Sequence, residues 1–269
     1  MSNPRGGAPR TPTLVMAPSH VAIVRFTSLG DVIHGLPVAA AIRRHFPQTR
    51  ITWLVEEREE IVLRDNPVVD DVVVVPLRRW RRGAMSVAGW RTWLVESRAI
   101  KQRLRDGGID VAIDMQGWVH KTSHAVTLTR ASTRIGFSRS HSRDSFSPLF
   151  TNRHVTPPAE ARHIVDQNLT LLQPLGITDP GPAAFPMPAF ADAEVRAEAW
   201  RRSHGIGPQH RLAVILPSTR GEPKRWPADR FREIGRRLLE DPSTILLITG
   251  GPGEGPILEE ARFSLPADR

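Results

Sequence analysis

Apolar and polar positions along this chain follow two periods that alternate. Short runs of β-branched and other apolar residues, typical of buried parallel strands, occupy 21–26, 51–55, 71–75, 111–113, 134–137, 212–216 and 245–249. Segments with helical spacing occupy 32–44, 86–105, a stretch after 125, 164–175, 191–203, 228–239 and 257–262. Strands that alternate with helices predict an α/β fold built on doubly wound, mainly parallel sheets.

A segment rich in proline and glycine, 176–190, divides this pattern and is predicted to be an interdomain linker. It follows a domain at 20–175, which a loose N-terminal extension at 1–19 precedes. The second domain, 191–269, has room for two strands after Arg211, whereas a self-standing Rossmann-type sheet usually has about five or six. We therefore expect either a truncated chain or a sheet that a partner completes, and truncation is the favoured interpretation.

The composition indicates which partners the protein favours and which kinds of chemistry it lacks. Lys and Arg number 37 against 28 Asp and Glu, giving a net charge of +9; this favours anionic partners such as nucleic acid, phosphorylated sugars or an acidic membrane surface. The absence of Cys excludes disulfides, thiolate nucleophiles and thiolate metal sites. No apolar run approaches the ~20 residues that a transmembrane helix needs, and we expect a cytoplasmic protein.

Asp31 lies where the first strand gives way to the first helix, directly after Gly30. This position is the carboxyl edge of a parallel sheet, where open α/β folds bind their ligands, and Gly30 would allow a tight turn there. Asp is also a common N-cap residue. The residues alone therefore leave two interpretations of Asp31, a ligand-facing carboxylate or a helix cap, and the cap is favoured.

Two loops of the second domain carry candidate nucleotide contacts. Ser218, Thr219 and Lys224 lie between a strand and a helix and could cradle a diphosphate, or they could belong to a solvated basic loop. Glu254 lies in a glycine-rich turn after the next strand, where an acidic residue can bind ribose hydroxyls. A GxxxxGK[ST] motif and a GxGxxG motif after the first strand are both missing, which argues against a P-loop NTPase and a dehydrogenase.

Two further clusters have both a functional and a structural interpretation. The run LRRWRR at 77–82 could bind phosphate groups or an anionic membrane, with Trp80 at the interface, although such a run is more often a solvated face. His120 and His124 have a spacing that metal sites use. Because no third ligand is apparent near them, we predict no metal site.

Several motifs in one order give the chain a resemblance to the lipopolysaccharide heptosyltransferases, glycosyltransferase family 9. VAIVRFTSLGDVIHGLP at 21–37 resembles the family's N-terminal signature, and WLVEE at 53–57 its second strand with an acidic end. VVPLRRWRR at 74–82 resembles the arginine-rich segment of type I members, and DMQGWVHKTS at 114–123 the DxQGLxKS motif with Trp118 in place of Leu. PSTRGEPKRWP resembles the donor phosphate loop, and GGPGE a segment whose Glu contacts ribose.

This resemblance implies a GT-B fold, with two Rossmann-like domains facing a cleft. It implies inverting transfer of heptose from ADP-heptose to an anionic lipid A-linked core saccharide, without a metal, a cofactor or a nucleic-acid partner. Asp31 would be the general base, and Ser218, Thr219, Lys224 and Glu254 would bind the donor. Peripheral contact with the cytoplasmic face of the inner membrane fits such an acceptor. The implied acceptor contacts are Ser28, Gly30, Arg78, Arg79, Arg81, Arg82, Gln116 and Lys121.

One family segment has no counterpart in 20–269, an Asp-Thr-Gly sequence with a following His that closes around the donor. We therefore expect the donor site to be incomplete and the second sheet to lack strands. Two alternatives remain beside heptosyl transfer. One is a related transferase that uses another nucleotide sugar, and the other is a truncated, inactive relative that binds anionic lipid or saccharide.

Overall fold

The computed structural model describes residues 17–219 and 224–262, apart from the side chains of His120 and Lys121. The chain divides into two compact units, Met1–Ala189 (unit 1) and Phe190–Arg269 (unit 2). Within each unit, parallel strands are joined by helices. This arrangement confirms the predicted α/β class.

The described residues form eight strands and nine α-helices, which are numbered in chain order. The strands are β1 (His20–Val24), β2 (Arg50–Val55), β3 (Asp71–Val74), β4 (Val111–Asp114), β5 (Thr133–Phe137), β6 (Arg153–Val155), β7 (Arg211–Ile215) and β8 (Thr244–Ile248). The helices are α1 (Leu29–Ile33), α2 (Leu36–His45), α3 (Leu77–Gly83), α4 (Val87–Asp106), α5 (His124–Leu128), α6 (Ile164–Thr170), α7 (Ala191–Ser203), α8 (Ala228–Leu238) and α9 (Gly255–Arg262).

Unit 1 contains a six-stranded, fully parallel sheet with the order β3-β2-β1-β4-β5-β6. Successive side chains of β1 enter two different buried clusters: Val21 and Ile23 lie in one, and Ala22 and Val24 lie in the other. Both faces of the central strand are therefore covered by apolar groups. This explains why β1 is a continuous apolar run in the sequence and not an alternating one.

The first helical segment is divided in two, which differs from the single helix predicted at 32–44. A Cβ on Gly35, between α1 and α2, would lie 2.7 Å from Met115 Cε and 2.9 Å from Trp53 Cη2. The chain at Gly35 thus passes too close to other side chains to carry one of its own. Pro37 lies in the first turn of α2, where its missing N–H costs no helical hydrogen bond. Close packing at one glycine, followed by a good helix start, accounts for the break.

Three other elements were predicted with different bounds or were not predicted. The helix predicted at 164–175 ends early as α6, and a short 3₁₀ turn, Gln173–Leu175, follows; Pro174 has no N–H with which to continue an α-helix. The basic run at 77–82, for which no helix or strand was predicted, forms α3. Strand β6 was not predicted, because three residues at the sheet edge, Arg153–Val155, carry too little apolar pattern to signal a strand.

The proline-rich segment predicted as a linker at 176–190 packs along unit 1. Ile177 is buried in the core of this unit. Farther along, Arg44 donates to the carbonyl of Pro182 at 3.2 Å, and Asn66 Nδ2 donates to that of Pro186 at 2.8 Å. These side chains satisfy carbonyl groups that have no place in a sheet or helix. Residues 176–189 of the segment therefore belong structurally to the first unit.

Unit 2 contains a two-stranded parallel sheet, β7 and β8, paired from Arg211 with Thr244 to Ile215 with Ile248. Helices α7, α8 and α9 complete its described part. The number of strands agrees with the room predicted after Arg211. The carboxyl ends of β7 and β8 carry the two loops that were predicted to bind a nucleotide.

Candidate functional site

The candidate site of unit 1 lies where the strand order of the sheet reverses. Strand β1 has β2 on one side and β4 on the other, and ligands of open α/β sheets bind at the carboxyl ends of strands at such a point. Asp31 lies in α1, shortly after β1, and Gln116 lies shortly after β4. The topology therefore brings two residues that are distant in the sequence to the same edge of the sheet.

Asp31 occupies the third position of α1 and Ser28 holds the N-cap position, so the prediction that Asp31 is the N-cap residue is wrong. The Asp31 side chain still caps the helix, because it accepts the N–H of Ser28 in a capping box. Asp31 Oδ2 accepts hydrogen bonds from the Ser28 N–H at 2.9 Å and from Ser28 Oγ at 3.1 Å. Its Oδ1 lies 2.8 Å from the Arg25 guanidinium, and the side chain is 38% exposed.

Several influences on the Asp31 carboxyl oppose one another. Partial burial by itself raises its pKa, but the hydrogen bond from the Ser28 backbone and the positive charge of Arg25 outweigh burial. The pKa of Asp31 is consequently held below its ordinary value of 3.8. Asp31 is therefore a carboxylate at neutral pH, and part of its surface faces solvent.

Arg25 belongs to this site and was not predicted from the sequence. It is 7% exposed, and it directs one guanidinium nitrogen to Asp31 and the other to the backbone carbonyl of Met115, in the loop after β4. Arg25 thus ties the loops that follow the two central strands together. The signal was present in the run 21–26, because an arginine among buried apolar residues requires polar partners.

The turn after β4 is organised by Asp114, which is fully buried. Its Oδ1 accepts hydrogen bonds from the N–H groups of Gln116 at 3.0 Å and Gly117 at 2.9 Å, and its Oδ2 accepts one from Ser123 Oγ at 2.8 Å. Burial raises the pKa of Asp114, and these hydrogen bonds oppose the rise. The carboxyl group therefore fixes the backbone that carries Gln116.

Gln116 itself has one unused polar atom. The residue is 7% exposed, and its Oε1 has no hydrogen-bond partner within the described part of the chain. Leaving a buried amide oxygen unpaired costs about 1–3 kcal/mol. Oε1 is thus a buried acceptor that the described residues leave unused.

Two of the four arginines of α3 form ion pairs with carboxylates, and the other two form none with a described residue. Arg78 bridges two buried carboxylates, with 3.3 Å to Glu56 and 3.1 Å to Glu59. Burial raises the pKa of Glu59, and the Arg78 charge opposes the rise. The charge of Arg78 is therefore already compensated inside the unit, and its contact with an anionic acceptor stays a prediction.

Arg79 is also paired, with Glu57 at 3.3 Å and Glu96 at 2.9 Å. Trp80, for which a membrane interface was one possible location, packs against the core and donates its indole N–H to Glu96 at 2.6 Å. Arg81 and Arg82 are exposed, and neither forms an ion pair with any described residue. Arg81 and Arg82 are therefore the arginines of α3 that remain open to an anion.

The other predicted acceptor contacts differ in what the structure shows. Ser28 and Gly30 are exposed beside Asp31. A Cβ on Gly30 would meet no atom within 4 Å. Gly30 lies within α1, so the expectation that it forms the tight turn is corrected; the space before it is open to a ligand. The side chain of Lys121 lies outside the described residues.

In unit 2, Glu254 connects the two candidate nucleotide loops. Its Oε2 accepts hydrogen bonds from Ser218 Oγ at 2.5 Å and from the Gly251 N–H at 2.6 Å. These two bonds lower the pKa of Glu254. Thr219 and Lys224 border residues 220–223 of the predicted phosphate loop, which lie outside the described residues. The structure thus brings Ser218 and Glu254 together, although they were predicted to hold different parts of a nucleotide.

Residues 17–219 and 224–262 lack two other features, a cluster of metal ligands and a membrane-spanning helix. No three His, Asp or Glu side chains in these ranges are grouped to hold a metal ion. Over the same ranges, no helix combines the length and the apolar character needed to cross a membrane. The side chain of His120, the first of the two histidines spaced four apart, lies outside the described residues.

Comparison with known sequences points to one family. Residues 97–266 match the family described as "Glycosyltransferase family 9 (heptosyltransferase)". Lipopolysaccharide heptosyltransferase 1 of Pseudomonas aeruginosa is 29% identical over 240 residues, which are 87% of this chain and 62% of that protein. The protein of the same name from Escherichia coli K12 is 28% identical over 240 residues, 87% of this chain and 69% of that protein. The chain thus spans about two thirds of these relatives.

Solved structures agree with the fold. A glycosyl transferase family 9 structure from Veillonella parvula superposes with a TM-score of 0.74 at 20% identity, covering 91% of this chain and 66% of that one. The E. coli heptosyltransferase WaaC with ADP-2-deoxy-2-fluoro heptose superposes with a TM-score of 0.66 at 24% identity, covering 91% and 73%. At these identities the likeness establishes the fold, which is the predicted two-domain α/β architecture.

Proposed function

We propose that this chain, which belongs to glycosyltransferase family 9, transfers heptose from ADP-heptose to an anionic lipid A-linked core saccharide. The observation that carries the proposal is the ionised, part-exposed carboxylate of Asp31, which lies at the carboxyl edge of the sheet where the strand order reverses. The names of the curated relatives and the ADP-sugar in the E. coli structure support the donor and the acceptor class.

Asp31 is proposed as the general base. A carboxylate offers about four acceptor positions, and Ser28 and Arg25 occupy three of them. The position left on Oδ1 can accept the proton of the attacking hydroxyl group. The acceptor oxygen would form its bond to the anomeric carbon as the bond to the ADP oxygen breaks, which inverts the configuration at that carbon. A carboxylate with a low pKa is ready for this role at neutral pH, because it is already deprotonated.

The donor contacts are proposed on the loops after β7 and β8. Thr219, Lys224 and Ser218 would stabilise the negative charge that grows on the departing ADP, so their contribution would be greatest in the transition state. The Glu254 carboxylate would repel a phosphate, but it can accept hydrogen bonds from ribose hydroxyls. Its Oε1 has no hydrogen-bond partner within the described residues. No metal or cofactor is part of this proposal.

The acceptor is proposed to bind beside Asp31. Gln116 would contact the saccharide at this edge of the sheet, and the space in front of Gly30 would admit it. Arg81, Arg82 and Lys121 would attract its negative charges. Since this acceptor is linked to lipid A, we further propose that the protein acts in peripheral contact with the cytoplasmic face of the inner membrane.

The test measures heptose transfer from ADP-heptose to a heptose-less lipid A core, with the wild-type chain and its Asp31→Asn variant. We expect Asp31→Asn to lower the rate by about 10²-fold or more, as removal of a general base does, while ADP binding measured by calorimetry is retained. Asp192→Asn, a change of an exposed acid in α7, is the matched control and should transfer at the wild-type rate.

Three outcomes are informative. Equal rates for the wild type and Asp31→Asn would contradict the base assignment. Transfer from another nucleotide sugar in preference to ADP-heptose would replace the proposed donor. If the wild type binds ADP but transfers nothing, the chain is a donor-binding relative without activity, and the proposed reaction is wrong for it.

A further inference from the structure

Helix α4 exposes an apolar stripe that the proposed reaction does not use. Val87, Trp90 and Leu94 are spaced three and four residues apart, so they share one face of the helix, and they are 75%, 54% and 39% exposed. Trp93 lies beside them, with its ring 5.4 Å from that of Trp90 in an edge-to-face arrangement. Met85, in the turn before α4, is 97% exposed. Large exposed apolar clusters of this kind mark interaction sites.

The same helix face becomes cationic toward its C-terminal end. Arg98, Lys101 and Arg105 continue the spacing that begins at Val87. None of these three cations forms an ion pair with a residue in the described ranges, and Arg105 and Arg98 are exposed. The two acidic residues of α4, Glu96 and Asp106, lie on other faces by helical spacing. The stripe is therefore apolar in its first half and positive in its second.

Contacts with α3 and with the core of unit 1 hold helix α4 in place. A Cβ on Gly89 would lie 2.0 Å from the Gly83 carbonyl oxygen, so α3 and α4 are in backbone contact at their junction. Glu96, which points toward α3, is bound by Arg79 and by the Trp80 indole. At the other end, Leu104 is buried in the core. The exposed stripe is thus a fixed surface of unit 1.

We propose that this α4 stripe, together with Met85, docks on the surface of an anionic lipid bilayer. Tryptophan is enriched at membrane–water interfaces, where its ring is apolar and its N–H meets water. Cations near the surface are attracted by anionic headgroups. Trp90 and Leu94 would enter the interface, and Arg98 and Lys101 would contact the headgroup phosphates.

A bilayer fits this surface better than a second copy of the chain. Another copy would present the same cations on the same face and no acidic side chain to pair with them, whereas anionic headgroups complement them. The proposal deepens the proposed function, because the acceptor of that reaction is lipid-linked. It is tested without donor or acceptor sugar, so its failure is distinguishable from a failure of the transfer reaction.

The experiment sediments the full chain with vesicles of phosphatidylglycerol and phosphatidylcholine, or of phosphatidylcholine alone. We expect binding to the anionic vesicles only. Each cation near such a surface contributes about fivefold to the partition coefficient, so Arg98→Gln with Lys101→Gln should lower binding about thirtyfold. The matched control is Arg196→Gln with Arg201→Gln in α7, which removes the same charge from a helix without the stripe and should bind like the wild type.

The apolar half is tested by Trp90→Ala with Leu94→Ala, which should lower partitioning about tenfold or more. Quenching of tryptophan fluorescence by brominated lipid should fall in parallel, and circular dichroism verifies that the variants are folded. Equal binding to both vesicle types, or equal losses in the α7 control, would overturn the proposal. So would self-association that these two substitutions abolish in the absence of any vesicle binding, since the stripe would then belong to a second copy.

Discussion

Replacing Arg25 with glutamine should both destabilise unit 1 and change the titration of Asp31. The substitution removes the hydrogen bond to the Met115 carbonyl and the ion pair to Asp31. Leaving a buried carbonyl unpaired costs about 1–3 kcal/mol. The ion pair adds less than about 1 kcal/mol, because the Asp31 side chain is 38% exposed and stays solvated.

A third contribution acts in the opposite direction. Arg25 is itself 7% exposed, so a neutral glutamine recovers part of the free energy spent on burying a charge. We therefore expect a net loss of about 2 kcal/mol in the free energy of unfolding, a substantial part of the roughly 5–15 kcal/mol of a typical domain. Urea unfolding should show a lower midpoint with an unchanged slope.

The matched control is Arg64→Gln. This guanidinium also forms an ion pair, 2.8 Å from Glu60, but it is 70% exposed and lies on the surface. Its removal should leave the free energy of unfolding nearly unchanged, because exposed ion pairs contribute little. A loss for Arg25→Gln no larger than this would refute the inference that Arg25 ties the loops after β1 and β4 together.

The pH dependence gives a second, independent readout. The folded-state pKa of Asp31 lies below its ordinary value of 3.8, so the ionised group contributes stability above that pH, and the contribution is lost as the pH falls through the folded-state pKa. In Arg25→Gln the pKa of Asp31 should rise. The stability difference between wild type and variant should therefore shrink below about pH 4, and the acid limb of the transfer reaction should move to higher pH. An unchanged acid limb would show that Arg25 does not set the pKa of the base.

Two further predictions concern other parts of the chain. Gly89→Ala should destabilise the protein by about 1–3 kcal/mol, because its Cβ would meet the Gly83 oxygen. The control Gly255→Ala should not destabilise it, because a Cβ there meets nothing within 4 Å. Equal shifts of the melting temperature in the two variants would contradict the close contact between α3 and α4. Glu254→Gln should weaken ADP binding about tenfold, because the hydrogen bonds from Ser218 and Gly251 and the proposed ribose contact lose a charged acceptor. Glu259→Gln on α9 is the control and should leave the affinity, measured by calorimetry, unchanged.

Much of the fold could be read from local pattern. The apolar run of β1 predicted a strand covered on both faces, and the two buried clusters that its alternate side chains enter confirm this. The helix expected at 86–105 is found as α4. Such elements were predictable because burial on both faces, or a repeated spacing of three and four, is visible within a short window of sequence.

Only part of the candidate site could be predicted from local sequence pattern. The position of Asp31 after a strand marked it, and the sequence motifs marked Gln116 as well. Arg25 was missed, because a single arginine in an apolar run does not reveal its partners, which lie on two loops. The pairing of Arg78 with Glu56 and Glu59 was missed for the same reason.

The sequence by itself determined the alternation of strands and helices, the charge excess and the residue types available for chemistry, because these depend on neighbours along the chain. The tertiary structure determined which charged side chains form ion pairs inside the unit and which form none with a described residue. It compensated Arg78 with buried carboxylates and left Arg98 and Lys101 without ion-pair partners in the described part of the chain. Charge pairing and exposure depend on distances between residues that are far apart in sequence, and only the folded chain sets those distances.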